Sequence, residues 1–141
     1  METRLTDVRD ALEEDMPWVK RIFQSADHVL GKGFFGSIWW RYWQSKNPRE
    51  RWIVIEGRAF AHYVTRRDGV KVLYEIAVAE ESRRMGLGKL LLDYIGRPME
   101  LKTDADHGES NAFYRALGFH PVGSKRSRDG KKVMRIYRCA P

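Results

Sequence analysis

The sequence predicts an α/β fold: one mixed, mostly antiparallel central sheet flanked by helices. Three observations point there. Apolar, β-branched runs at 52–55 and 59–65 flank the turn Glu56-Gly57, and a further run at 70–78 follows Arg67-Asp68-Gly69, so the three make a meander. The last run leads through a glycine-bent turn into a helix at 87–95, and a strand at 99–103 returns parallel to 70–78 as a right-handed crossover. With 141 residues the chain is of single-domain size, and residues 1–141 are assigned to one domain.

The other elements follow from local pattern. Residues 5–9 alternate as a strand does, and Asp15-Met16-Pro17-Trp18 carries helix-entry signals ahead of Val19, Ile22 and Phe23 at helical spacing. Gly31, Gly33 and Gly36 break that pattern, residues 37–43 resume it as a short helix, and Asn47-Pro48 ends it. In this helix Trp39 falls beside Trp43 and Ile38 beside Tyr42. With Trp40 and Trp52 the cluster holds more aromatic surface than one buried face absorbs, so surplus rings could line a pocket, form a homodimer surface or stack on bases. Gly96 and Pro98 close the helix at 87–95. After the returning strand, 104–108 leads into a helix that stops at Gly118, and 120–125 pairs with 133–139 as a closing hairpin around Arg128-Asp129-Gly130.

Composition narrows the function classes. A 43% hydrophobic and 32% charged chain is that of a soluble globular protein, and it has no apolar run of membrane-spanning length. No membrane partner is expected. A lone Cys139 cannot form an internal disulfide, which fits a reducing compartment and cytoplasmic residence. His28, His62 and His120 show no ligand spacing with cysteines or carboxylates, so no metal site is expected. The formal charge of +7 is concentrated late: Lys125, Arg126, Arg128, Lys131, Lys132, Arg135 and Arg138 are opposed by Asp129. That hairpin is either a solvated surface or a contact for an acidic partner such as nucleic acid.

The turn Arg83-Arg84-Met85-Gly86-Leu87-Gly88, followed by Lys89, suits an anion. A helix start offers unpaired N–H groups and the positive end of the macrodipole, and glycines let an oxygen approach the main chain. The P-loop spelling and the three-glycine dinucleotide fingerprint are both absent, so a different phosphate ligand is indicated.

These six residues match Gln/Arg-x-x-Gly-x-Gly/Ala, and Ser110-Asn111-Ala112-Phe113-Tyr114-Arg115-Ala116-Leu117-Gly118-Phe119 matches Ala/Ser-x-x-Phe-Tyr-x-x-Leu-Gly-Phe. In both, and in the opening segment 8–15, the chain resembles the GNAT superfamily of N-acetyltransferases. The resemblance implies a GNAT-like acyl-CoA N-acyltransferase fold and acetyl-CoA as cofactor. It implies that Arg83, Arg84, Met85, Gly86, Leu87, Gly88 and Lys89 hold the diphosphate of coenzyme A. It further implies that backbone N–H groups of the strand carrying Ile76 and Val78 serve the thioester carbonyl and the pantetheine arm. Family members commonly carry Asn six residues before the motif Phe, where this chain has His107; His107 either replaces that contact or caps the helix.

An amine acceptor with a pKa near 10.4 is protonated at neutral pH, so attack on a thioester begins with removal of a proton. Glu75, three residues before Val78, is the candidate base; the alternative is a solvent-facing residue between buried Tyr74 and Ile76. By the resemblance Tyr114 is the acid that protonates the departing thiolate, and its alternative role is packing with Phe113, Leu117 and Phe119. Cys139 lies outside any nucleophile context, which favours direct transfer in a ternary complex. The expected activity is acetyl-CoA-dependent N-acetylation of an unidentified primary amine. Two other readings stand beside it: acyl transfer to nucleic acid or aminoacyl-tRNA, and a non-catalytic acyl-CoA-binding module.

Overall fold

The computed structural model describes residues 7–25 and 35–141. In chain order the elements are β1 (Val8–Asp10), a 3-10 turn (Glu13–Asp15), α1 (Met16–Ser25), α2 (Phe35–Ser45), β2 (Glu50–Ile55), β3 (Ala59–Thr65), β4 (Lys71–Val78), a second 3-10 turn (Glu80–Ser82), α3 (Leu87–Ile95), β5 (Met99–Asp104), α4 (Gly108–Ala116), β6 (His120–Arg126) and β7 (Val133–Cys139). The seven strands form one sheet in the order β1-β2-β3-β4-β5-β7-β6. β4 and β5 pair in parallel, and every other neighbouring pair is antiparallel. The expected mixed, mostly antiparallel sheet is therefore the observed one.

Strand alternation divides the core. On β2, Ile53 and Ile55 point to a cluster with Leu73, Ile76, Leu91, Ile95, Met99, Leu101 and Tyr137, while Trp52 and Val54 point to another with Val19, Phe23, Trp39, Phe60 and Ala77. The first cluster is roofed by α3 and α4, the second by α1 and α2. Because both faces are covered, β2 and β3 read as near-continuous apolar runs, and each fully buried large side chain contributes roughly 1.5–3 kcal/mol.

Several boundaries differ from the sequence expectation. The first strand appears as Val8–Asp10; Leu5, His28 and the glycines at 31 and 33 lie outside the described residues. α2 starts at Phe35 and takes in Gly36, because the helix is held by the packing of its aromatic face, which outweighs the low propensity of one glycine. The aromatic surplus also shrinks. Trp39 packs at 5.0 Å from Trp52 and 5.8 Å from Trp43 as core, whereas Trp40 is 65% exposed.

One irregularity positions the site. β3 and β4 lose register between His62 and Tyr63: His62 faces Glu75, but Tyr63 faces Leu73, so Tyr74 is an extra residue on β4. The bulge puts Leu73 and Ile76 on the same core face and turns Tyr74 out. The alternative of an outward Glu75 beside a buried Tyr74 is thereby overturned, for Tyr74 is 58% exposed and the Glu75 side chain 9%. No helix among the described residues is long and apolar enough to cross a membrane.

Candidate active site

The glycine turn has the backbone that its sequence suggests. Arg84 and Gly86 both have positive φ, 68° and 74°, and Gly86 is the N-cap of α3 with no side-chain cap. The first helical bond runs from Leu90 N to Gly86 O at 3.0 Å, so the amides of Leu87, Gly88 and Lys89 have no acceptor within the helix. A Cβ at Gly86 would meet nothing within 4 Å; glycine is needed there for its backbone angle, and the space above it is open. Gly88 is constrained differently. A Cβ there would sit 3.1 Å from Cζ of Phe113, so the ring of the second motif rests on the glycine of the first.

Side chains around the turn divide into anchors and charges. Leu87 is buried and ties the helix start to the core, while Arg83, Arg84, Met85 and Lys89 are exposed. Met85 Sδ lies 3.4 Å from an Arg58 guanidinium nitrogen, and Lys89 pairs with Asp93 at 2.7 Å one turn on.

Beside this turn the sheet opens. β4 and β5 pair only from Lys71–Met99 to Leu73–Leu101, after which β4 runs on to Val78 and β5 to Asp104. The wedge between them holds a narrow crevice lined by Leu73, Tyr74, Glu75, Ile76, Leu101, Lys102, Thr103 and Tyr114. It continues into a larger cleft reaching Val72, Glu100, Lys102 and Met134. Tyr114 is buried among Phe119, Phe113 and Tyr137, and burial pushes its phenol well above the usual range, so the hydroxyl stays protonated. Phe113, expected in the core, is 36% exposed because it leans over Gly88 instead.

Around Glu75 the structure assembles a group that the sequence reading did not. His62 is 5% exposed; its Nδ1 is 2.5 Å from Glu75 Oε2 and its Nε2 2.6 Å from Glu50 Oε2. With both carboxylates ionised, both ring nitrogens donate, which is the arrangement of an imidazolium. Burial opposes that charge, yet the hydrogen bonds and negative charges of Glu50 and Glu75 together raise the His62 pKa. Trp52 stacks on the ring at 4.2 Å and 10°, a geometry that favours a cation. The hairpin turn at Glu56-Gly57 carried part of the signal, because it sets His62 opposite Trp52 and diagonal to Glu50. Ligand spacing, the criterion applied to His62, is blind to such pairs. Among the described residues no cluster of three or more His, Cys, Asp or Glu could hold a metal ion.

α4 is fixed at its start and middle. His107 is its N-cap and accepts from Ser110 N at 3.1 Å, and Asn111 gives its amide to His107 O at 2.7 Å while taking the Tyr137 hydroxyl at 2.6 Å and an Arg135 guanidinium N–H at 3.1 Å. β6 is exposed along its whole length at the sheet edge. Its Lys125 acts on Lys102 of the cleft, whose pKa is lowered by burial and then by that neighbour. Lys132 pairs with Asp104 at 3.2 Å. The basic hairpin thus adjoins the cleft.

Comparison with known proteins gives three findings. Residues 48–121 match the family model described as acetyltransferase (GNAT) domain. The chain is 29% identical over 134 residues, 87% of its length and 93% of the relative's, to the 5-NmdU N-acetyltransferase of Pseudomonas phage PaMx11. Among solved structures it shares its fold with a GNAT-family protein from Desulfovibrio desulfuricans at a TM-score of 0.79 and 19% identity, over 95% of this chain and 98% of that one. A Bacillus anthracis protein in complex with acetyl coenzyme A matches at 0.59 and 15% identity, over 67% of this chain and 65% of that one.

Proposed function

The chain belongs to the GNAT acetyltransferase family, and from that premise we propose that it is an acetyl-CoA-dependent N-acetyltransferase, passing the acetyl group directly to a primary amine in a ternary complex. The observation that carries this reading is the parting of β4 from β5 after Leu73, beside a helix start that no side chain caps. The open space over Gly86 and the exposed Arg83 and Arg84 suit a diphosphate. Arg83, Arg84, Met85, Gly86, Leu87, Gly88 and Lys89 would hold it, and the backbone of Ile76 and Val78 would serve the pantetheine arm and the thioester carbonyl. When bound, acetyl-CoA supplies the activated acetyl thioester.

The chain's own groups then divide the proton work. Glu75, on the acceptor wall, takes the proton of the incoming ammonium and frees the nitrogen lone pair. Tyr114 lines the inner crevice and remains a neutral phenol, so it has a proton to give to the leaving sulfur. Cys139 is buried on β7 and makes its contact with Gly118 O, which supports direct transfer over an acyl-cysteine route.

A nucleic-acid acceptor is favoured by a specific pairing of observations. The relative from phage PaMx11 acts on 5-NmdU, and in this chain the exposed basic strand β6 adjoins the acceptor cleft through Lys125 and Lys102. The acceptor amine is accordingly proposed to sit on a modified deoxyuridine in DNA. Thiol release from acetyl-CoA, measured with DNA carrying 5-NmdU, with peptides and with simple alkylamines, tests both levels. Release with any amine supports the acetyltransferase reading; a clear preference for the DNA that fades steeply with salt supports the nucleobase. No release with any acceptor would overturn the first, and equal use of peptides the second.

A further inference from the structure

The proposed reaction gives Glu75 a task and leaves Glu50 and His62 without one. Yet a partly buried carboxylate, a buried imidazolium and a second, nearly buried carboxylate in series are costly to desolvate, and for stability alone an apolar trio of the same volume would serve as well. The ring is held at both nitrogens and flanked by two aromatic rings. Glu50 and Trp52 face it from β2, and Glu75 and Tyr74 face it from β4, Tyr74 lying tilted at 5.5 Å. Glu50 and Glu75 are the two charged groups acting on it. His62 therefore cannot turn, and Glu75 Oε2 is committed to it.

We propose that His62, anchored by Glu50, is a positioning residue that clamps one oxygen of Glu75 and presents the other to the acceptor cleft, and that the net single negative charge of the trio selects a protonated primary amine. The inference rests on Glu75 acting as base, as proposed above. In the step it describes, an N–H bond of the ammonium breaks, an O–H bond forms at Glu75 Oε1, and the nitrogen keeps the electron pair. His62 retains both of its protons throughout, and the trio passes from one negative charge to neutral. Without the clamp Glu75 would be free to rotate, and the approach of the amine would lose its fixed target.

Two measurements on the full chain test it. Nitrogen-15 NMR of His62, with no acceptor present, should show both ring nitrogens protonated at neutral pH in the wild type; a neutral ring would overturn the proposal whatever the activity. Kinetics with acetyl-CoA and an alkylamine probe should show that Glu50→Gln lowers kcat about tenfold with the KM for acetyl-CoA unchanged. The alkaline limb of its rate profile should move to lower pH, since His62 has lost one of the carboxylates that hold its proton. Glu50→Asp should restore part of both. A Glu50→Gln enzyme with wild-type kcat and pH profile, alongside an impaired Glu75→Gln, would overturn the clamp and leave the base in place. Undiminished turnover in Glu75→Gln would overturn the base, and the clamp with it.

Discussion

One wall of the proposed site, on the α3 and α4 side, is main chain: the uncapped start of α3, the positive-φ glycine at 86 and the strand backbone that β5 no longer pairs. The other is side chain: Glu50, His62 and Glu75 are drawn from three strands, with the His62 ring stacked on Trp52. The first wall depends on conformation and tolerates many side chains. The second depends on register, because a one-residue slip of β3 against β4 would put His62 and Glu75 on opposite faces. A ligand common to many enzymes suits the first construction, and a particular acceptor the second.

Substitutions can break each wall separately. The largest effect is expected at Glu75→Gln: kcat falls by about a thousandfold with little change in acetyl-CoA affinity, as steady-state kinetics and calorimetry would show. Gly86→Glu should weaken acetyl-CoA binding by about a hundredfold in calorimetry, since it forces a side chain into φ 74° and sets a negative charge at the helix start. Tyr114→Phe should lower kcat about tenfold while affinity changes less; an equal loss in both would assign Tyr114 to packing. Gly88→Ala is milder. Its Cβ would press on the Phe113 ring at 3.1 Å, but that half-exposed ring can yield, so affinity should drop only about threefold, and Phe113→Leu in the same chain should restore it.

The smallest effect concerns pH. The His62 pKa is raised by Glu50 and Glu75 against burial, so the stability it contributes is fully present below the unfolded histidine range and is lost as pH rises through the folded value. Denaturant midpoints followed from acid to alkaline pH should decline across that interval in the wild type and less so in Glu50→Gln.

The main-chain wall was legible in the sequence for a physical reason. Glycine turns, caps and strand-to-helix transitions are local, and Gly86, Gly96 and the hairpin at Glu56-Gly57 marked β3 and α3 at the residues where they occur, and the end of β2, which begins at Glu50, two residues before the expected start. The side-chain wall was only half legible. Glu75 stood out by its distance from Val78, but the bulge at Tyr74, which decides where Glu75 points, leaves no mark that a period-2 reading can see. His62 was passed over because its partners are neighbours across strands, not along them. The contact of Phe113 with Gly88 likewise joins two motifs that the chain holds twenty-five residues apart.

Main-chain amides are the proposed grip on acetyl-CoA. Amide-resolved NMR during titration with coenzyme A would test it most directly. The largest shifts are expected at Gly86, Leu87, Gly88 and Lys89, with a second group at Ile76 and Val78. Shifts confined to the β6–β7 hairpin, with those amides unmoved, would contradict it.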